Sequence, residues 1–206
     1  MTVPYIFGTA KNLTPEDIIL LDKYSEQHGM FTSAKTNQNT YPPVVADTWT
    51  LSSHPRHLKS ILLSVFKEHD LWDIDIYDPI QFSKNIEVLK YANTGKFPWH
   101  VDTTQDQVWN CTLRETNDKT IVGDYNVGTM YPLDRKVTCI LSLSSDYEGG
   151  NFQIREIDSE DIIFDRKLLF GEYIIFPTVY PHRVTSVTGG VRHVLGSWLK
   201  GKPYNT

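Results

Sequence analysis

Lys96–Thr104 reads KFPWHVDTT, with His100 and Asp102 separated by the single aliphatic residue Val101. If this segment is a β-strand, positions i and i+2 project from one face with Cα atoms about 7 Å apart. The imidazole and the carboxylate could then reach one ion. Alone, the pair carries little. The chain holds 7 His and 25 acidic residues in 206, and chance supplies roughly one His-x-acid pair in such a sequence. An ordinary strand-end ion pair explains it equally well, so the surrounding sequence has to decide.

Outward from this stretch, β signals recur. IEVLKYA, FPWHVD, KVTCILSLS, NFQIRE, EYIIFP, HRVTSV and VRHVLGSWL are short and rich in β-branched and aromatic residues. Turns are signalled at Asn93-Thr94-Gly95, Glu148-Gly149-Gly150, Phe170-Gly171-Glu172 and Thr188-Gly189-Gly190. Many short strands with few helices among them predict a sandwich or barrel. The first third differs. In NLTPEDIILLDKYSEQHG, Thr14 caps a helix, Pro15 takes its first position and Gly29 stops it. Ile18, Leu21, Ile19 and Tyr24 are its candidate apolar face. A second helix follows in HPRHLKSILLSVFKEHD, with Leu58, Ile61, Leu62, Val65 and Phe66 at helical spacing. Residues 32–52 are rich in Thr, Asn, Pro and Ser and read as loop. Residues 103–134 carry only weak strand signals (KTIV, YNVGTMY), and a loop this long is functional or mobile. With no repeat or linker, the expectation is one domain over residues 1–206: a helical N-terminal support (1–79) and a β core (80–200) interrupted by the 103–134 insertion.

A net charge of −5 and a pI near 5.8 argue against a non-specific nucleic-acid binder, which needs a basic stripe to neutralise phosphates. They argue equally against docking on anionic lipid. No run approaches the roughly 18 apolar residues of a membrane span, and MTVPYIFGTAKNL has no signal-peptide pattern. Two cysteines, Cys111 and Cys139, make no disulfide framework; Cys139 in VTCILSL reads as a buried small hydrophobe. A reducing cytoplasm is the expected setting.

A third metal ligand should sit at another strand end. His182, at the start of HRVTSV, satisfies this. Two His and one carboxylate on one face of a metal leave adjacent positions open, as in mononuclear non-haem Fe(II) oxygenases. Ten residues on comes Arg192, whose permanently charged planar fork matches a carboxylate in two hydrogen bonds. His28, His54, His57 and His69 fall on or beside the helices and read as surface residues. His193 faces away from Arg192 on the same strand and reads as structural.

The stretch from Leu89 to Leu199 resembles the Fe(II)/2-oxoglutarate dioxygenases, in particular the prolyl 4-hydroxylase branch and its bacterial and phage relatives. The shared features, in order, are LKYANTGKFPWHVD, VTCILSLSSDYEGGNFQI, GEYIIFP and PHRVTSVTGGVRHVLGSW. The resemblance implies a double-stranded β-helix (jelly roll), mainly β and braced by the N-terminal helices. His100, Asp102 and His182 would be the Fe(II) ligands, and Arg192 would hold the distal carboxylate of 2-oxoglutarate. Tyr91 would lie near that cosubstrate, with Trp198, Ser142 and Gly196 lining the same cavity. It also implies O2 as the oxidant, with ascorbate as a supporting reductant, and oxidative decarboxylation to succinate and CO2 coupled to hydroxylation of an unactivated C–H bond. A prolyl residue of a peptide or protein is the expected substrate. Trp109, Tyr125 and Tyr131 in the insertion are candidate substrate contacts, against the alternative of a surface excursion without that role.

Arg192 stands where the animal collagen-type enzymes have Lys, which places the chain with the bacterial type. Hydroxylation of a free amino acid or small metabolite is the alternative within the same chemistry, and an inactive jelly-roll binding module is the alternative outside it. The DNA-dealkylating branch is disfavoured by Trp198 at the position of its second Arg. A cupin-type isomerase is disfavoured because no His-x-His occurs.

Overall fold

Thr14 starts the first helix through a reciprocal cap. Its hydroxyl accepts from the Asp17 N–H, and the Asp17 carboxylate accepts the Thr14 N–H at 2.8 Å, with Pro15 next in line. The computed structural model describes residues 5–33, 44–51, 55–69, 86–102 and 134–201. In chain order these form β1 (Ile6–Thr9), α1 (Pro15–His28), β2 (Met30–Thr32), β3 (Asp47–Leu51), α2 (Arg56–Lys67), β4 (Ile86–Tyr91) and β5 (Phe97–His100). After them come β6 (Asp134–Ser142), β7 (Tyr147–Gly149), β8 (Phe152–Arg155), β9 (Ile162–Arg166), β10 (Glu172–Pro177), β11 (His182–Val184), β12 (Val187–Gly190) and β13 (Arg192–Gly201).

The strands make a seven-stranded sheet in the order β1-β10-β6-β13-β4-β3-β2, a four-stranded sheet β5-β11-β8-β9, and the pair β12-β7. Every pairing among these strands is antiparallel. The large sheet is buried on both faces, and the pleat sorts its residues between two cores. On β4, Ile86 and Val88 join Val137, Cys139, Leu141, Leu195 and Leu199 against Leu58, Leu62, Val65 and Phe66 of α2 and Leu21 of α1. The alternate residues Leu89 and Tyr91 turn the other way, towards Phe152, Ile154, Phe176, Val184 and Val194. Helices therefore brace one face of the large sheet, and the small sheet covers the other. This is the mainly β, helix-braced jelly roll that the resemblance implies.

Several expectations change. Residues 32–52 are not all loop, because β3 pairs along β4 from Asp47↔Lys90 to Leu51↔Ile86. The N-terminal region is more than a helical support: β1, β2 and β3 are strands of the large sheet itself. On α1, Leu21 is buried while Ile18 and Tyr24 pack partly against the core, and Ile19 is exposed. His28 and His57 are at the surface as expected; His69 is half-buried with its Nε2 2.7 Å from the Tyr173 hydroxyl, and His54 lies outside the described residues. The insertion lies outside them too, apart from Asp134. No helix among the described residues is long and apolar enough to cross a membrane.

Candidate metal centre

The end of β5 meets the start of β11 so that His100 and His182 stand directly opposite each other, with ring centroids 4.1 Å apart. Each ring is oriented by its own strand. His100 Nδ1 lies 2.8 Å from the Pro98 carbonyl and His182 Nδ1 lies 3.0 Å from the Tyr180 carbonyl. A carbonyl can only accept, so both rings carry the proton on Nδ1 and present a bare Nε2. Backbone carbonyls are common partners of metal-binding imidazoles for this reason.

Asp102 completes the group. Its Oδ1 is 3.7 Å from His100 Nε2, and its Oδ2 is 3.6 Å from His182 Nε2. One ligand atom from each of the three residues falls within 4.8 Å of the others. The carboxylate is held from the large sheet: Oδ2 accepts from Thr138 Oγ1 at 2.7 Å and from Trp198 Nε1 at 2.9 Å. Its backbone N–H donates to the Thr178 carbonyl at 3.1 Å, and the Thr178 N–H donates to Lys136 O at 3.0 Å. Oδ1 accepts no hydrogen bond among the described residues, which leaves it free for an ion.

Protonation favours the same outcome. Burial, with the neighbouring His182 adding to it, lowers His100 to about 4. Burial alone would raise Asp102, but the His182, His100 and Arg135 charges and the Thr138 hydroxyl outweigh it and hold the carboxyl at about 2. Both groups are thus in the deprotonated form a metal needs at neutral pH. The donor set fits Fe(II): two imidazole nitrogens and one carboxylate oxygen converging from one side.

Beside the three ligands opens a cavity of about 200 Å³ whose lining includes Tyr91, Arg192, Gly196 and Trp198. Arg192 is wholly buried, and its Nε, Nη1 and Nη2 have no hydrogen-bond partner among the described residues. The guanidinium carbon lies 5.1 Å from the centroid of the Tyr91 ring, its cross-strand neighbour. Burial raises the Tyr91 hydroxyl, with Arg192 opposing, so it stays a neutral donor. A buried cation with all its donors idle is costly; an anion with paired oxygens would satisfy it. Gly150, at φ +62°, keeps room beside it, since a Cβ there would lie 3.1 Å from Arg192 Cδ and 2.9 Å from Val187 Cγ2.

The sequence-derived candidates therefore divide. His100, Asp102, His182, Arg192, Tyr91, Gly196 and Trp198 share one cavity. Ser142 is outside its lining; its hydroxyl donates to the carbonyls of Ser144 and Leu168 at 3.0 and 3.1 Å. Trp109, Tyr125 and Tyr131 lie outside the described residues. Three groups were overlooked: Thr138, which holds Asp102; Arg135, whose guanidinium stacks 3.7 Å over the Trp198 ring; and Glu87, which lines the cavity. Glu87 was within reach. Once Tyr91 is placed inward, the two-residue period turns Leu89 and Glu87 inward with it.

Residues 86–200, from the first strand of this cavity to the last, match the 2OG-Fe(II) oxygenase superfamily. The chain belongs to that superfamily. It is 38% identical to a PKHD-type hydroxylase of Prochlorococcus marinus over 72 residues, covering 35% of this chain and 31% of the relative. It is 27% identical to a PKHD-type hydroxylase of Acinetobacter baumannii over 154 residues, covering 71% and 56%. The matches span less than two-thirds of either relative's own length. Among solved structures, a Pseudomonas putida prolyl-4-hydroxylase superposes with a TM-score of 0.63 at 13% identity, covering 98% of this chain and 94% of that one. A Trichoplax adhaerens prolyl hydroxylase, solved with a hypoxia inducible factor peptide fragment, gives 0.63 at 12% identity, covering 96% and 84%. At such identities the likeness speaks for the fold.

Proposed function

We propose that this oxygenase is an Fe(II)- and 2-oxoglutarate-dependent dioxygenase that hydroxylates an unactivated C–H bond, with a prolyl residue in a peptide or protein as its substrate. The observation that carries the chemistry is the pairing, in one cavity, of two imidazoles and a carboxylate with a buried arginine whose nitrogens have no hydrogen-bond partner among the described residues. His100 Nε2, Asp102 Oδ1 and His182 Nε2 would hold the metal. Arg192 would take the distal carboxylate of 2-oxoglutarate, with the Tyr91 hydroxyl as a further donor. Trp198 and Thr138 keep Asp102 oriented, and the apolar walls Leu89, Ile140 and Val194 exclude water along the cosubstrate's length.

When bound, the iron supplies the redox chemistry: 2-oxoglutarate, O2 and R–H become succinate, CO2 and R–OH, one oxygen atom going to each organic product. The protein's part is to fix geometry and keep the site dry. Support for a prolyl peptide comes from the two prolyl hydroxylases that share the fold, one of them solved with a peptide fragment; ascorbate as reductant rests on the resemblance alone. Purified protein given Fe(II), 2-oxoglutarate and O2 should form succinate slowly without a prime substrate, and His182→Ala should not. Equal rates from the two proteins would overturn the reading. Mass spectrometry of proline-containing peptides, looking for one added oxygen, then tests the substrate.

A further inference from the structure

The inward face of β4 reads Glu87, Leu89, Tyr91, and all three line the cavity. Register along β13 sets their order: Tyr91 pairs with Arg192, Leu89 with Val194 and Glu87 with Gly196. Arg192 and Glu87 thus stand at opposite ends of one strand pair, about 13 Å apart over four residues. If the cosubstrate fills the Arg192 end, Glu87 lies on the floor at the metal end. The groups acting on it agree with that placement: Arg135 and Asp102 are the charges it feels.

Glu87 is an unusual residue for such a floor. It shares the lining with the apolar Leu89, Ile140, Val194 and Trp198 and with the charged Arg135 and Asp102. No hydrogen bond or ion pair engages its carboxyl among the described residues. Arg135, whose positive charge acts on Glu87, is stacked on Trp198. Burial raises the Glu87 pKa more than Arg135 lowers it, and Asp102 raises it further. Glu87 is half-buried, and a carboxyl set in a cavity wall with reduced access to water and no donor is stabilised when a donor arrives. Gly196 leaves space beside it; a Cβ there would meet the Trp198 ring at 3.5 Å and the Glu87 carbonyl oxygen at 3.8 Å.

We propose that Glu87 is a specificity-determining residue that accepts a cationic nitrogen of the substrate, an ammonium or guanidinium carried close to the C–H bond to be oxidised. The inference rests on the oxygenase reading above and narrows its substrate class. Two sources share this chemistry: a lysyl or arginyl side chain beside the target residue of a peptide, and the α-ammonium of a free amino acid. In either, the cation replaces water lost by the carboxylate, and a neutral or acidic counterpart leaves Glu87 unpaired.

The test uses the full chain loaded anaerobically with Fe(II) and 2-oxoglutarate, and calorimetric titration with two matched sets of probes. The first is capped Gly-X-Pro-Gly with X as Lys, norleucine or Glu; the second is L-proline against N-acetyl-L-proline. In at least one set the cationic probe should bind about tenfold or more tighter than its neutral counterpart, as a charge-assisted hydrogen bond implies. The set that shows the preference identifies the source. Glu87→Gln should bring that ratio close to one, and Glu87→Met gives the same ratio measurement should the first variant fold poorly. The proposal is overturned if wild type shows no preference in either set, undetectable binding included, or if the preference survives both substitutions. Substrate-free succinate formation by wild type reports separately on the oxygenase reading.

Discussion

At the residue scale, the site is a set of polar groups whose partners are divided between protein and ligand. Asp102 illustrates the division: Oδ2 is occupied by Thr138 and Trp198, and Oδ1 is left open. Thr138→Val keeps the shape and removes one of the two donors, so metal affinity should fall about 10- to 100-fold, the usual loss for such outer partners. Titration with Mn(II) reads this directly, and unchanged affinity would remove Thr138 from the site. Arg192 lies at the other extreme, its three guanidinium nitrogens without a hydrogen-bond partner among the described residues. Arg192→Met exchanges an unsatisfied buried cation for an apolar chain of similar length, so the ligand-free protein should unfold at the same temperature or higher. The same variant should lose the stabilisation that 2-oxoglutarate gives wild type. A variant destabilised on its own yet still stabilised by the cosubstrate would contradict the assignment. The four motifs made His100, Asp102, His182 and Arg192 legible in the sequence. Thr138 was not, because a threonine in an apolar β run looks like any other strand residue, and Ser142 misled because local carbonyls captured its hydroxyl.

At the scale of elements, alternation made the strands of the core readable and edges made others unreadable. The segments containing β4, β6, β10 and β13 carry enough Val, Ile and Leu to announce themselves. In β3, Asp47–Leu51, Thr and Asp dilute the signal within a polar stretch, yet pairing with β4 forms it. β9 was missed for a related reason: it is an edge strand of the small sheet, with charged Asp165 and Arg166 and an exposed Ile162. The clasp between α1 and the large sheet was equally hidden. Asp22 of α1 receives Lys90 Nζ at 2.9 Å and stands 3.4 Å from His193 Nε2. Burial, assisted by Lys90 and opposed by Asp22, lowers His193 to about 4 from its ordinary 6.5. Between these values the unfolded chain takes up a proton that the folded chain refuses. His193 therefore leaves stability intact above pH 6.5 and erodes it as pH falls towards 4, by a total on the order of 3 kcal/mol. Urea unfolding from pH 7 to 4 should show that loss on top of the one His100 contributes in the same window, and His193→Leu should make the slope shallower without abolishing it. An equal slope in both proteins would count against the clasp.

At the scale of the whole molecule, the site lies on the seam between two sheets. His100 and His182 belong to the small sheet, whereas Asp102 is held by Thr138 and Trp198 of the large one. A bound ion would therefore tie the sheets together and add to the stability of the fold by mass action, about 2.7 kcal/mol at a hundred times the dissociation constant. Hydrogen exchange with and without Mn(II) and 2-oxoglutarate should show the gain concentrated in β5 and β11, with α1 and α2 changing least. Uniform protection, or protection confined to the helices, would contradict a metal on this seam.

The same pleat that builds two cores also separates two kinds of atom. Cys139, the free cysteine of the described residues, is wholly buried on the helix side of β6, and burial pushes its thiol up to about 12. Its sequence neighbours Thr138 and Ile140 face the metal side. One peptide step therefore moves the most oxidisable side chain of that strand behind a sheet, in its least reactive form. Among the described residues the cavity is lined by aromatic rings, aliphatic walls and polar groups, with no sulfur. The Cys139 thiol should therefore remain unalkylated by iodoacetamide until the chain unfolds.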